Sequence, residues 1–363
     1  MRCLVFLFIS LLRETSGTQI NLTTINGWPT VQISLNAIEQ KRNLVLDLTK
    51  SVLWTFASRN ISEVPNRDFF TFILNGDVNN HILKSHSKWL NYTDETIYDN
   101  RLQFESFTTY VYGFRYSNTS LSTWIYLNSV LVNKKNFNVE WQKQFADGVI
   151  GVGRSLSLQQ TNFFETFLNN QSYLEVRIPR ERNETGRLLI NETSSKCDSK
   201  NQVITNYTSS SSISSETFEF NISSVKIGND NLVNQTMTAT ISTLTRYITV
   251  DPQTWLTLTK LYRLIYDPYK KKNWKNVYPH HLIACSEKLL DLRITVLNIF
   301  GFYDVLTIPG KDLITTTRSG FCILRIRRST TNVWVLGVQW FRNFCVGINF
   351  KKQTLTFMNQ TRN

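Results

Sequence analysis

After residue 17, no segment of this 363-residue chain is long and apolar enough to anchor it in a bilayer, and it has no Ala-rich helical run. The first absence predicts that the mature protein is soluble, in a lumen or outside the cell. Histidine is scarce too: His81, His86, His280 and His281 lie in polar or Tyr/Pro-rich stretches, and no Gly-x-Ser-x-Gly turn accompanies them. That argues against a Ser-His hydrolase. No cysteine has CxxC or His-partnered spacing, so zinc is not expected; no cofactor is expected either. The glycines of Gly148-Val149-Ile150-Gly151-Val152-Gly153 do not follow the order GxGxxG, and no helix signal comes after them. They suit a buried strand approached closely by another backbone better than a phosphate loop.

Aromatic residues make up 13% of the chain, many of them in alternating stretches, which predicts an all-β protein. Residues 1–17 carry Arg2, an apolar run from Cys3 to Leu12, then Ser16 and Gly17. A run this short reads as a cleaved secretory signal. Cys3 leaves with it; Cys197, Cys285, Cys322 and Cys345 remain, and four cysteines allow three pairings. Sequons begin at Asn21, Asn60, Asn91, Asn118, Asn170, Asn183, Asn191, Asn206, Asn221, Asn234 and Asn359, predicting several glycosylated surface turns. The formal charge is +13. In a secreted chain this favours anionic glycans, acidic proteins or an acidic lumen over nucleic acid. The densest basic run, Lys270, Lys271, Lys272 and Lys275, is interleaved with Tyr269 and Trp274 and reads either as a solvated loop or as an anionic-glycan or membrane-surface patch.

One pattern recurs. Leu44 to Asp47 is an apolar strand running into an acid and a turn, then Val52-Leu53-Trp54; Ile248-Thr249-Val250-Asp251 repeats strand, acid and turn about two hundred residues later. Each copy is followed much later by two apolar residues and Gly: Val149-Ile150-Gly151 and Val335-Leu336-Gly337. Such a duplication predicts two lobes that bring Asp47 and Asp251 together, with carboxylates roughly 3–5 Å apart. Between the copies, Phe104 to Val132 reads as a long hairpin with Tyr112-Gly113 near its tip, residues 160–169 as a short helix, and Ser194 to Ser215 as a polar stretch opening the second lobe. Residues 255–266 have a helical pattern, and Phe344 to Phe350 with Thr354 to Met358 form a closing hairpin.

These residues resemble the pepsin-like aspartic peptidases over nearly all of the mature chain. Asp47-Leu48-Thr49-Lys50-Ser51 followed by Val52-Leu53-Trp54 is similar to Asp-Thr-Gly-Ser-Ser-x-x-Trp, and Tyr112-Gly113 to the flap Tyr-Gly. Asp147-Gly148-Val149-Ile150-Gly151 is similar to Asp-Gly-Ile-Leu-Gly, and Asp251-Pro252-Gln253-Thr254 takes the place of the second Asp-Thr-Gly-Thr. Trp334-Val335-Leu336-Gly337 with Phe341-Arg342-Asn343-Phe344-Cys345 is similar to the C-terminal pattern of the family. The resemblance implies a bilobal pepsin fold, with two β lobes related by a pseudo-twofold, a central cleft and an inter-lobe sheet. It sets a signal at 1–17, an N-terminal lobe at 18–193 and a C-terminal lobe at 194–363. It implies Asp47 and Asp251 as the catalytic acids, Trp54, Tyr112, Gly113 and Thr254 as cleft residues, and a monomer that takes an extended peptide. It also implies a Cys285–Cys322 disulfide. Cys197 and Cys345, where nematode members also carry cysteines, are left to pair across the inter-lobe sheet.

The departures from the family pattern weigh against hydrolysis. Thr49 and Gln253 stand where the family has Gly, at a cost of about 1–2 kcal/mol wherever φ > 0 is required. Leu48 and Pro252 replace the Thr residues that grip across the lobes, and Val338 replaces an Asp. Lys50 either holds Asp47 ionised or turns to solvent. Only about a dozen residues separate the signal from the first expected strand, so the usual inhibitory pro-segment is missing. The expectation is a secreted or endolysosomal pepsin-fold protein with weak or no peptidase activity, an acid endopeptidase being the alternative.

Overall fold

A computed structural model describes residues 18–25, 27–35, 40–49, 53–56, 87–91, 101–116, 119–132, 148–153, 173–180, 184–207, 217–262, 265–266, 281–316, 321–329 and 331–361. Strands dominate, as the aromatic alternation predicts. Among the described residues a 13-stranded sheet starts at the edge strand Val203–Asn206. It passes through Thr354–Asn359, Phe344–Asn349, Tyr173–Arg177, Gly186–Ile190 and Thr18–Ile25 before entering the N-terminal strands. Strands from both halves of the chain therefore share one hydrogen-bonded layer: Tyr173–Arg177 pairs with Phe344–Asn349, Val346 opposite Val176. Phe344–Asn349 and Thr354–Asn359 are each buried at five of six positions, because this layer is covered on both faces. A second, 8-stranded sheet builds the C-terminal lobe, and its strand Glu219–Ile227 alternates between core and surface.

The aromatic residues fill the core. Trp340 packs 4.4 Å from Phe344 and 5.5 Å from Phe357, ring centre to ring centre, and Trp28, Trp334, Phe218, Phe220 and Phe341 are also fully buried. Both implied disulfides form, Cys197–Cys345 and Cys285–Cys322. The closing hairpin is present as expected. Three expectations shift. Thr18–Ile25 is a strand, paired with Gly186–Ile190, so strand structure begins at residue 18 rather than about a dozen residues after the expected signal. The second-lobe helix runs Pro252–Leu261 rather than 255–266, because Asp251 caps it and Pro252 suits its first turn. The long hairpin pairs Arg101–Tyr116 with Thr119–Val132, Tyr116 opposite Thr119 being its outermost pair, and Gly113 marks a register shift a few positions before it. The helix expected at 160–169 lies outside the described residues.

Candidate active site

The N-terminal half of the site is built by burial. Leu44, Val45 and Leu46 are inaccessible to solvent, and the strand they form delivers Asp47 into the same interior. This strand runs parallel to Gly148–Gly151 with Val45 opposite Val149 and Asp47 opposite Gly151. Leu53–Phe56 then returns on the other side of Gly148–Gly151, with Trp54 opposite Val149. Asp47 Oδ1 accepts from the Thr49 backbone N–H at 2.7 Å and from the Thr49 hydroxyl at 2.6 Å. Thr49 is not among the described residues with positive φ, so the conditional backbone cost of a non-glycine there does not arise. Instead, its hydroxyl gives the carboxylate a second donor.

The C-terminal half repeats this arrangement residue by residue. Met237–Ile241 runs parallel to Trp334–Leu336 with Thr240 opposite Val335 and Ile241 opposite Leu336. The next residue, Ser242, donates its backbone N–H to the Leu336 carbonyl at 3.1 Å. Ile248–Val250 returns on the far side of Trp334–Leu336, with Thr249 opposite Val335. Thr249 follows Ser242 by seven residues, as Trp54 follows Asp47. Matched by register, the two three-stranded units set Ser242 at the place of Asp47, Gly337 at that of Gly151 and Thr249 at that of Trp54. Local hydrogen bonding agrees: Ser242 Oγ accepts from the Leu244 N–H at 3.2 Å, two residues on, as Asp47 does from Thr49. Gly337 has to be glycine, since an added Cβ would collide with the carbonyl oxygens of Thr245 and Tyr247 in the return loop.

Thr243 ties the halves together. Its hydroxyl donates to the Leu46 carbonyl at 2.5 Å and accepts from the Leu48 N–H at 3.3 Å, so it touches the residues on either side of Asp47. The expectation that the inter-lobe grip is lost is therefore half corrected. Leu48 has no side-chain group to send back, but its backbone completes the contact. Four residues past Ser242, the Arg246 guanidinium lies over the Trp28 ring, 4.9 Å from its centre, adding a second contact across the halves. Burial lowers the Arg246 pKa, with Tyr247 opposing and Arg325 adding to the shift.

Asp251 is placed elsewhere. It follows the return strand and caps helix Pro252–Leu261, with Oδ1 accepting from the backbone N–H groups of Gln253 and Thr254 at 2.9 and 3.0 Å. Its Oδ2 accepts from the Thr254 hydroxyl and from Trp334 Nε1, the latter at 2.9 Å. Burial pushes its carboxyl up, and these four donors outweigh that, leaving the pKa below the ordinary value. Trp334 and Gly337 mark opposite ends of the central strand, roughly 10 Å apart, with Asp251 at the first and Ser242 at the second. The register and hydrogen bonds thus bring Ser242, not Asp251, to the end of the sheet that meets Asp47. Thr254, expected in the cleft, is buried against Asp251.

A two-lobed β architecture with this repeated three-stranded unit is the setting in which the comparison with known families becomes informative. A family model described as eukaryotic aspartyl protease matches residues 30–360. The chain belongs to that family. No curated protein matches it significantly. As an aspartyl protease domain it keeps the acid-bearing turn of its first lobe and carries a hydroxyl at the related position of the second.

The other expected residues of the domain are distributed as follows. Trp54 lies in the return strand, and Tyr112 and Gly113 lie in the long hairpin. Lys50 and the lysines at 270, 271, 272 and 275 fall outside the described residues. Of the sequon asparagines, 21, 191, 206, 221, 234 and 359 are exposed, Asn91 ends a strand, and 60, 118, 170 and 183 lie outside the described residues. Glu175 is buried 3.2 Å from Cys197 Sγ. Because Cys197 and Cys345 are bonded to each other, that cluster offers no thiolate to a metal. Ser242 and Thr243 were the residues that sequence reasoning missed. Their signal was the strand Met237–Ile241 running into Ser-Thr-x-Thr, with the next strand beginning at the spacing found after Asp47.

Proposed function

We propose that this aspartyl protease homologue is a secreted protein that binds extended peptides in its inter-lobe cleft and does not hydrolyse them. The single observation that carries the reading is Ser242 at the position related to Asp47. Aspartic hydrolysis needs two carboxyl groups sharing one proton, so that one activates water while the other donates to the developing oxyanion. A serine hydroxyl does not ionise in the working range and cannot exchange roles with Asp47 during the cycle. Losing one partner of an acid–base pair removes a factor of about 10²–10⁴ in rate. The lobes, taken as 18–193 and 194–363, keep their joining sheet and their Thr243 contact, so the loss of chemistry does not require the loss of a groove. Two disulfides suit passage through an oxidising lumen.

The test is digestion of a denatured protein at acid pH by purified material, with and without a transition-state-mimicking inhibitor, alongside fluorescence anisotropy with extended peptides. The expected result is peptide binding without cleavage, and inhibitor-sensitive cleavage gained in Ser242→Asp. The alternative, a working acid endopeptidase, predicts wild-type turnover that is blocked by the inhibitor and lost in Asp47→Asn. That outcome would overturn the proposal.

A further inference from the structure

The hairpin formed by Leu292–Leu297 and Tyr303–Ile308 ends in an apolar ridge on the C-terminal lobe. Phe300, Phe302 and Tyr303 are 71%, 68% and 67% exposed, and Leu297 and Val305 are about half exposed beside them. Soluble domains seldom leave so many large apolar side chains together in water without a use for them.

The ridge is held in shape. Asn298 Oδ1 accepts from the N–H groups of both Phe300 and Phe302 at 2.9 Å, and Asn298 Nδ2 donates to Asp304 Oδ2 at 2.7 Å. The Asn298 N–H reaches the Phe302 carbonyl at 2.8 Å, and the Ile299 N–H reaches Ile204 in the neighbouring sheet at 2.9 Å. Thr205 Oγ1 donates to the Leu297 carbonyl at 2.9 Å. These bonds fix the backbone of the turn that presents the aromatic side chains to solvent.

The strand register shows what lies next to it. Ile222 pairs with Val296, and Leu297 pairs with Tyr303. Ile222 and Val296 face the core, so Asn221, Leu297 and Tyr303 form one solvent-facing row across three adjacent strands, all three exposed. With strands about 4.8 Å apart, Tyr303 lies roughly 10 Å from Asn221. Asn221-Ile222-Ser223 is a glycosylation sequon.

We propose that Asn221 carries an N-linked glycan whose core sugars lie along Leu297 and Tyr303 toward Phe300 and Phe302, so that the chain's own carbohydrate covers the ridge. The apolar faces of the sugar rings meet the aromatic rings, while their hydroxyls stay in water. Attachment joins the Asn221 amide nitrogen to the anomeric carbon of a lipid-pyrophosphate-linked oligosaccharide. The bond from that carbon to the pyrophosphate oxygen breaks, and the amide proton leaves to solvent, with no change of oxidation state. The proposal rests on the secreted reading, because the donor is available only in the secretory lumen.

The experiment uses the full chain made in a glycosylating secretory host, with site occupancy read by peptide mapping. Asn221 is expected to be occupied. Asn221→Gln and Ser223→Ala, which delete the same sequon in different ways, should each increase binding of a hydrophobic dye and lower the monomer fraction. Asn234→Gln and Asn206→Gln, at other exposed sequons, should not. Changing Phe300, Phe302 and Tyr303 to Ser in the Asn221→Gln background should return dye binding to the wild-type level. An unmodified Asn221 on a chain glycosylated elsewhere overturns the proposal and leaves the secreted reading standing. Unchanged dye binding in both sequon variants, or the same gain from Asn206→Gln, also overturns it. A chain with no glycan at any sequon overturns both readings.

Discussion

Replacing Glu175 by Gln should remove a pH dependence of stability that the inter-lobe sheet builds in. Glu175 lies on Tyr173–Arg177, between Gly186–Ile190 and Phe344–Asn349, and is inaccessible to solvent. Its Oε1 accepts from the Ser194 N–H at 3.1 Å, while its Oε2 has no hydrogen-bond donor among the described residues. Burial pushes the carboxyl from 4.5 up to about 7, against the Ser194 N–H and the Arg177 charge. The other groups nearby do not reverse this. Tyr173 is itself raised, chiefly by burial, and Arg177 is shared with Glu184 at 3.4 Å and faces Arg187 across the strands. A folded-state pKa above the unfolded value means that the folded protein holds this proton more tightly. The contribution is therefore complete below about pH 4.5 and is lost as pH rises through about 7, a swing on the order of 3 kcal/mol. Glutamine keeps the shape and cannot ionise. In denaturant titrations from about pH 4.5 to about pH 8, the variant should match wild type within about 1 kcal/mol at the acid end. At the neutral end it should gain on wild type by on the order of 3 kcal/mol. A difference between the two proteins that stays constant across that range refutes the reasoning.

Other changes probe the site and its supports. Thr243→Val removes both bonds to the residues flanking Asp47 and leaves the Leu46 carbonyl and Leu48 N–H buried without that partner; denaturation should show a loss of about 2–4 kcal/mol. Asp251→Ala deletes a helix cap and exposes Trp334 Nε1 to an unsatisfied burial, costing about 2–4 kcal/mol, while anisotropy should show peptide binding retained. Because the Asp251 pKa is depressed, its contribution is present above the unfolded value and is lost as pH falls through the folded one, so Asp251→Asn should flatten the acid limb of the stability profile. Removing the Cys197–Cys345 pair, which closes a 148-residue separation, should cost about 5 kcal/mol. Removing Cys285–Cys322, at a separation of 37, should cost about 4 kcal/mol by the same chain-entropy reasoning, and calorimetry under oxidising conditions can rank the two.

Much of this was readable in the residues. Alternating aromatics gave away the strands, Leu44 to Asp47 the first acid, and the paired Val-Ile-Gly and Val-Leu-Gly runs the duplication. The second half of the site is marked by backbone register and not by a carboxylate, which is why the sequence points to Asp251 instead. Asp251 ends a strand, as Asp47 does, but Pro252 behind it is the mark of a helix N-terminus with an Asp cap. Ser242 carries none of the chemistry expected of a dyad, so its Ser-Thr-x-Thr run and strand spacing draw no attention until register singles it out: Thr240 opposite Val335 repeats Val45 opposite Val149. The apolar ridge escaped notice because Ile299, Phe300 and Phe302 look like core residues in sequence, and only the hairpin turn they occupy, past the end of the paired strands, leaves them in solvent.

The placement of Ser242 also bears on why the fold survives without the second acid. Two carboxylates held face to face in a buried site repel each other, and one of them must stay protonated for the pair to be tolerated. Among the described residues, the contacts that join the halves do not require the second charge: Thr243 binds backbone groups, Arg246 lies over Trp28, and the shared sheet is held by main-chain bonds. Ser242→Asp should therefore restore a shared proton at a price in stability. A pair titrating above the ordinary carboxylate range keeps its proton, and its stability, at acid pH and loses both as pH rises. The variant should lie close to wild type near pH 4 and fall below it by about 1–3 kcal/mol near pH 8. Denaturant midpoints for both proteins at the two ends of that range decide it. A Ser242→Asp protein whose deficit does not change with pH would mean that the introduced carboxylate and Asp47 do not meet, and the register match between the two lobes would then be wrong.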